Sequence, residues 1–138
     1  MKRSLLACLL ITLVPLFASA ETAGLQDGDR VAMVGDSITE QKLYSLYIAD
    51  YLLMCRPKQN LQTMQFGWGG ETSWGFVERM TNDLLPYKPT VATTCYGMND
   101  GGYGPLKDEN RQRYTEAMDK IVAGMKSAGL CGASRPDP

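Results

Sequence analysis

The run Arg30-Val31-Ala32-Met33-Val34-Gly35-Asp36-Ser37-Ile38-Thr39 constrains this chain most, because an unbroken apolar stretch ends abruptly in a glycine turn that carries a serine. Val31 to Val34 read as a buried strand, and near-continuous apolar strands belong to parallel sheets covered by helices. Gly35 permits a sharp exit. Thr39 or Ser37 then starts a helix that Leu43, Tyr44, Tyr47, Ile48, Tyr51 and Leu52 continue. A serine at a strand-to-helix junction presents its hydroxyl at the mouth of a parallel sheet, near the positive end of the helix dipole. Gly-Asp-Ser is also an ordinary turn, so this run alone specifies a shape rather than a chemistry.

The rest of the chain alternates strand and helix. Leu61 to Phe66 reads as a second strand, and Thr72 to Leu85 as a helix that Pro86 terminates. Thr90 to Tyr96 makes a third strand, rich in the β-formers Val91, Thr93 and Thr94. Asp108 or Glu109 opens a long helix whose apolar stripe is Tyr114, Ala117, Met118, Ile121, Val122, Met125 and Ala128, with Gly129 as its C-cap. That stripe reads as core. Alternation of this kind predicts a doubly wound α/β domain with a parallel sheet covered on both faces. A complete domain needs about five strands, and the chain supplies only about the first three.

After Leu130 the chain reads Cys131-Gly132-Ala133-Ser134-Arg135-Pro136-Asp137-Pro138. Its prolines make a poor central strand, so residues 131–138 are read as a tail foreign to the domain, explained by a frameshift or truncation near Leu130. The other end is different in kind. Lys2 and Arg3, the apolar stretch Leu5 to Phe17 and the small residues Ala18-Ser19-Ala20 form a secretory signal peptide over residues 1–20, which places the protein in a secreted or periplasmic setting. The stretch is shorter than the about 20 apolar residues a membrane span requires, and nothing later is apolar enough to span. Residues 21–130 are then the folded part.

Losing Lys2 and Arg3 with the leader takes the 14 basic residues to 12 against 15 acidic ones, a formal charge of −3. Nucleic acid is therefore excluded as a partner, since no basic stripe with interleaved aromatics appears. Small neutral or weakly cationic ligands stay open. Cys55 and Cys95 are expected to be buried small hydrophobes. No cofactor and no metal are expected, because zinc draws on Cys, His and carboxylate ligands and the chain contains no histidine.

Two more glycine-bearing blocks follow strands, Gly69-Gly70-Glu71-Thr72-Ser73 after the second and Gly97-Met98-Asn99-Asp100 after the third. Together with Gly35-Asp36-Ser37 they resemble, in order and spacing, the SGNH hydrolases, also called the GDSL esterase and lipase family, over about residues 30–130. Ile38 stands where the family usually has leucine. The resemblance implies a flavodoxin-like, three-layer αβα sandwich and a serine esterase or lipase acting on acyl or acetyl esters of lipids or carbohydrates. It implies Ser37 as nucleophile, with the Ser37 and Gly70 backbone N–H groups and the Asn99 side-chain amide as the oxyanion hole. Asp36, Trp68, Met98 and Asp100 are candidate binding-site residues, with the two aspartates mainly bonding loop amides.

The family's fourth block, an Asp-x-x-His that supplies the base and its orienting carboxylate, is missing. Serine is a poor nucleophile without a base in hydrogen-bond reach, so this chain is expected to be inactive by itself. Lys42 is a poor substitute, lying on a different helix face. Two other readings are kept: a non-catalytic secreted binding module of the same fold, and a hard-cation site built from Asp36, Glu71 and Asp100.

Overall fold

The computed structural model describes residues 24–55 and 58–132; the signal peptide expected over residues 1–20 and the tail at 133–138 lie outside that range. Its sheet is parallel and runs in the order β2-β1-β3-β4, with β1 Arg30–Gly35, β2 Gln62–Gly67, β3 Val91–Cys95 and β4 Cys131–Gly132. This is the doubly wound, flavodoxin-like order, as expected for the αβα class. Gly35 lies opposite Gly67 on one side and Cys95 on the other. Three strands therefore stop level, and their exit loops share one rim.

Helix α3 (Ser73–Asp83) and helix α5 (Asp108–Ser127) cover one face of the sheet. Ala32 and Val34 of β1 and Ala92 of β3 meet Phe76, Met80, Leu84, Ile121, Met125 and Leu130 there in a single buried cluster. Full burial of side chains such as Phe76 and Ile121 stabilises by about 1.5–3 kcal/mol each, so this face supplies most of the driving force. The expected α5 stripe is buried at Ala117, Ile121 and Met125 but emerges at Val122, and Ala128 is exposed at its end. Gly129, at φ +83°, turns the chain out of the helix while Leu130 N–H donates to Met125 O.

That turn delivers Cys131 opposite Val91 and Gly132 opposite Ala92. A fourth strand thus begins where the composition argued against one. Pairing in a ladder uses backbone groups, and a short segment aimed along an open edge can pair whatever its side chains.

The other face is covered less well. The expected single helix after Ser37 is broken into α1 (Ser37–Glu40) and α2 (Leu43–Cys55), with Lys42 between them at φ +63°. Asp36, not Ser37 or Thr39, is the N-cap of α1, its Oδ1 accepting from the Ile38 N–H at 3.0 Å. A helix of four residues carries little macrodipole, so the expected dipole effect on Ser37 is small. Ser45 and Ala49 are the buried positions of α2, and Gln65 of β2 donates to the Ser45 hydroxyl. Leu43, Leu46, Tyr47, Tyr51 and Met54 form an exposed apolar ridge. Cys55 and Cys95 are exposed as well, contrary to expectation. Cys55 sits at the helix end, and past the buried Ala92 the residues of β3 lose cover. Among the described residues no helix is long and apolar enough to cross a membrane.

Candidate active site

The rim is held together by bonds between loops. Trp68 N–H, just past β2, donates to Gly35 O at 3.0 Å, and Asp36 N–H donates to Cys95 O at 3.4 Å. Close packing demands glycine here. A Cβ on Gly35 would collide with Thr39 Oγ1 and lie 2.8 Å from Cys95 O, and one on Gly67 would strike the backbone of α1 at Thr39 and Glu40. The first turn of α1 is thereby pressed against the ends of β1 and β2, which fixes where Ser37 can be.

Ser37 is half-buried at the start of α1. Among the described residues, neither its hydroxyl nor its N–H has a hydrogen-bond partner. Gly70 sits at φ +72° with open space where a Cβ would be, and its N–H is likewise without a partner among the described residues. The left-handed conformation selects glycine, and the open space lets another molecule approach its amide. Asn99, in the short helix α4 (Met98–Gly101), donates one Nδ2 hydrogen to Glu71 O at 2.8 Å and accepts from the Tyr103 hydroxyl at 2.8 Å. The amide is fixed at both ends, with its second N–H unspent.

Under the rim lies a buried ionic cluster that sequence reasoning did not find. Arg79 of α3 donates through Nε to Glu71 Oε1 at 2.5 Å and through Nη2 to Oε2 at 2.7 Å and to Phe66 O at 2.9 Å. The Tyr96 hydroxyl donates to Glu71 Oε2 at 2.6 Å. Burial, reinforced by that bond to a carboxylate, pushes the Tyr96 phenol well above its ordinary range; the Glu71 carboxylate raises the Arg79 guanidinium. One carboxylate thus ties the ends of β2 and β3 to α3, while its own carbonyl holds Asn99. The available signal was an arginine beside Phe76 and Met80 on the apolar face of α3, which needs an acid nearby.

The remaining expected residues divide. Asp36 is buried and occupied in capping, and Asp100 accepts from Ser73 N–H at 3.0 and 3.2 Å and from Ser73 Oγ at 2.5 Å. Both hold loops in shape. Trp68 and Met98 are exposed, at 60% and 50%. Trp74, Asn99, Asp100 and Tyr114 line a small cavity between α3 and α5 of about 150 Å³. Asp36, Glu71 and Asp100 do not share a site, each being bound to different partners, so the cation reading fails. Among the described residues no group of His, Cys, Asp and Glu is placed to hold a metal.

With this geometry the chain's relationships are plain. The GDSL-like lipase/acylhydrolase family model matches residues 33–136, and the chain belongs to that family. No curated protein matches it. Solved structures sharing the fold include a catalytic mutant of an acetylxylan esterase from Geobacillus stearothermophilus, at 20% identity and a TM-score of 0.68 over 78% of this chain and 59% of that one. Another is the acetyl xylan esterase AlAXEase, at 18% identity and a TM-score of 0.64 over 75% of this chain and 55% of that one. A gut microbial diltiazem-metabolizing enzyme is 29% identical, with a TM-score of 0.60 over 75% of this chain and 25% of that one. The chain spans less than two thirds of the length of each.

Proposed function

We propose that this chain forms the nucleophile and oxyanion side of a secreted or periplasmic serine ester hydrolase, acting on acyl or acetyl esters of carbohydrates or lipids, and that it does not turn over by itself. What supports the reading is that the loops leaving three strands that end level carry, among the described residues, a serine hydroxyl, two backbone N–H groups and one amide N–H without partners. Ser37 Oγ attacks the ester carbonyl carbon; the negative charge that develops on the carbonyl oxygen is met by Ser37 N–H, Gly70 N–H and Asn99 Nδ2. Losing one such donor typically costs about 10²–10³ in rate. The serine proton needs an acceptor; the chain has no histidine, and among the described residues none bonds the Ser37 hydroxyl. The same lack supports a second reading, a binding module that holds an ester or its product without cleaving it.

The test has two arms. The chain alone should release p-nitrophenol from p-nitrophenyl acetate no faster than a denatured control. Joined after Leu130 to the C-terminal part of the Geobacillus acetylxylan esterase, it should hydrolyse the ester. Ser37→Ala should abolish that activity and Asn99→Ala should cut turnover by roughly 10²–10³-fold. Efficient turnover by the chain alone would overturn the claim that it lacks a base, and chimera activity that survives Ser37→Ala would remove the nucleophile.

A further inference from the structure

Beside the rim, the open edge of β2, the terminal strand of the sheet, borders a groove of about 340 Å³. Two exposed aromatic rings line it, Trp68 at 60% and Tyr87 at 59%. Each rests on a fixed support. The Arg79 guanidinium lies 5.6 Å from the centre of the Trp68 ring and is itself locked by Glu71 and Phe66 O. Tyr87 meets Phe66 edge-on with ring centres 5.4 Å apart. Between and below the rings the lining is polar, with Gln65, Asn82, Asp83 and Arg79.

We propose that this groove binds a carbohydrate chain, with Trp68 and Tyr87 packing on the apolar C–H faces of sugar rings and Asn82 and Asp83 bonding their hydroxyls. A sugar chain alternates apolar faces with hydroxyl edges, which is what rigid rings flanked by amide and carboxylate groups complement. An apolar peptide would leave the Arg79–Asp83 floor unmatched, and a net acidic surface repels a polyanion. The supports matter because rings already held in place lose little freedom on binding. Trp68 directly precedes Gly69 and its N–H is bonded to Gly35 O, so a chain in the groove ends beside the turn that carries Ser37. The inference rests on the proposed hydrolase reading for what the groove serves, and it names the alcohol portion of the ester as carbohydrate.

Xylohexaose without acetyl groups is a suitable probe, since binding then reports on the groove and not on turnover. In full-length Trp74→Phe protein, Trp68 is the only tryptophan, and its fluorescence should change saturably with xylohexaose. By calorimetry, Trp68→Ala and Tyr87→Ala should each weaken binding roughly three- to tenfold, with Trp68→Phe retaining most of it. Both positions are exposed, and a cooperative melt with an unchanged far-UV circular dichroism spectrum confirms folding. Absence of saturable binding by folded protein overturns the proposal, as does binding that both alanine variants leave intact. If xylohexaose fails to bind while the Ser37 chimera hydrolyses p-nitrophenyl acetate, the groove alone is refuted; binding with a chimera that melts cooperatively yet is inert refutes the hydrolase reading and leaves the groove.

Discussion

Removing the Arg79 guanidinium should be the most damaging single change under the rim. The Glu71 side chain is only 5% exposed and that of Arg79 17%, so the pair is shielded from solvent. Arg79→Met keeps much of the stem's volume but leaves the Glu71 carboxylate buried with the Tyr96 hydroxyl as its remaining side-chain donor, and leaves Phe66 O without its Arg79 donor. Breaking a buried pair by deleting one partner costs about 3–5 kcal/mol. Loss of the guanidinium from the faces of Trp68 and Phe76 adds roughly 0.5–1 kcal/mol each. Against a domain stability of about 5–15 kcal/mol, this takes away a large fraction. Urea unfolding followed by far-UV circular dichroism should show the midpoint falling with little change in slope. Adding Glu71→Gln to Arg79→Met should recover at least about 1.5 kcal/mol, because a neutral amide no longer needs a counter-charge. A loss below about 1 kcal/mol at constant slope, or a double variant no more stable than Arg79→Met, would show that the pair does not hold the rim.

Other changes test other parts of the argument. Gly67→Ala should cost about 1–3 kcal/mol in the same unfolding assay, since the new Cβ meets the α1 backbone, with Glu40 Cα at 2.7 Å. Phe76→Ala, at the centre of the better-covered face, should cost about 3–5 kcal/mol. Because the folded state holds the Tyr96 phenol protonated, it binds more protons than the unfolded chain above the ordinary tyrosine value of 10.0, so stability should fall as pH rises past that point. Tyr96→Phe should flatten that alkaline loss in a pH series of melts. Finally, Tyr47 and Met54 are 76% and 80% exposed on the α2 ridge, so the parent chain should self-associate in sedimentation velocity and Tyr47→Lys with Met54→Lys should suppress it; a monomeric parent at tens of micromolar would refute the ridge as the cause.

What was legible in the sequence is what neighbours along the chain decide. Apolar runs closed by glycine blocks located β1, β2 and β3 and the rim they share, because a strand exit is written into a few adjacent residues. The break between α1 and α2 was not legible. Lys42 is neither glycine nor proline, and its left-handed conformation follows from α1 being pressed against the glycines of β1 and β2. Cys95 looked buried because it ends an apolar strand, yet burial depends on what covers that strand, which is tertiary information. Glu71, Arg79 and Tyr96 are separated along the chain and meet only after three elements pack, so local pattern could name each but not the cluster.

The residues of the three blocks, with Gly67 at the end of β2, separate by what they touch, and the separation bears on function more than their number does. Gly35 and Gly67 are required by the packing of α1, Asp36 by its cap, and Asp100 by Ser73; any protein keeping this fold would need them with or without catalysis. Ser37 and Gly70 are different, because no internal bond among the described residues uses the Ser37 hydroxyl or either N–H. Asn99 stands between the two groups, with one amide hydrogen committed to Glu71 O and the other free. A fold does not need unpartnered donors on the same rim as a serine, whereas charge developing on a substrate oxygen does. The hydrolase reading therefore hangs on Ser37, Gly70 and the unspent half of Asn99. Damage from changes at the structural glycines and aspartates would be expected even if the protein had never cleaved an ester.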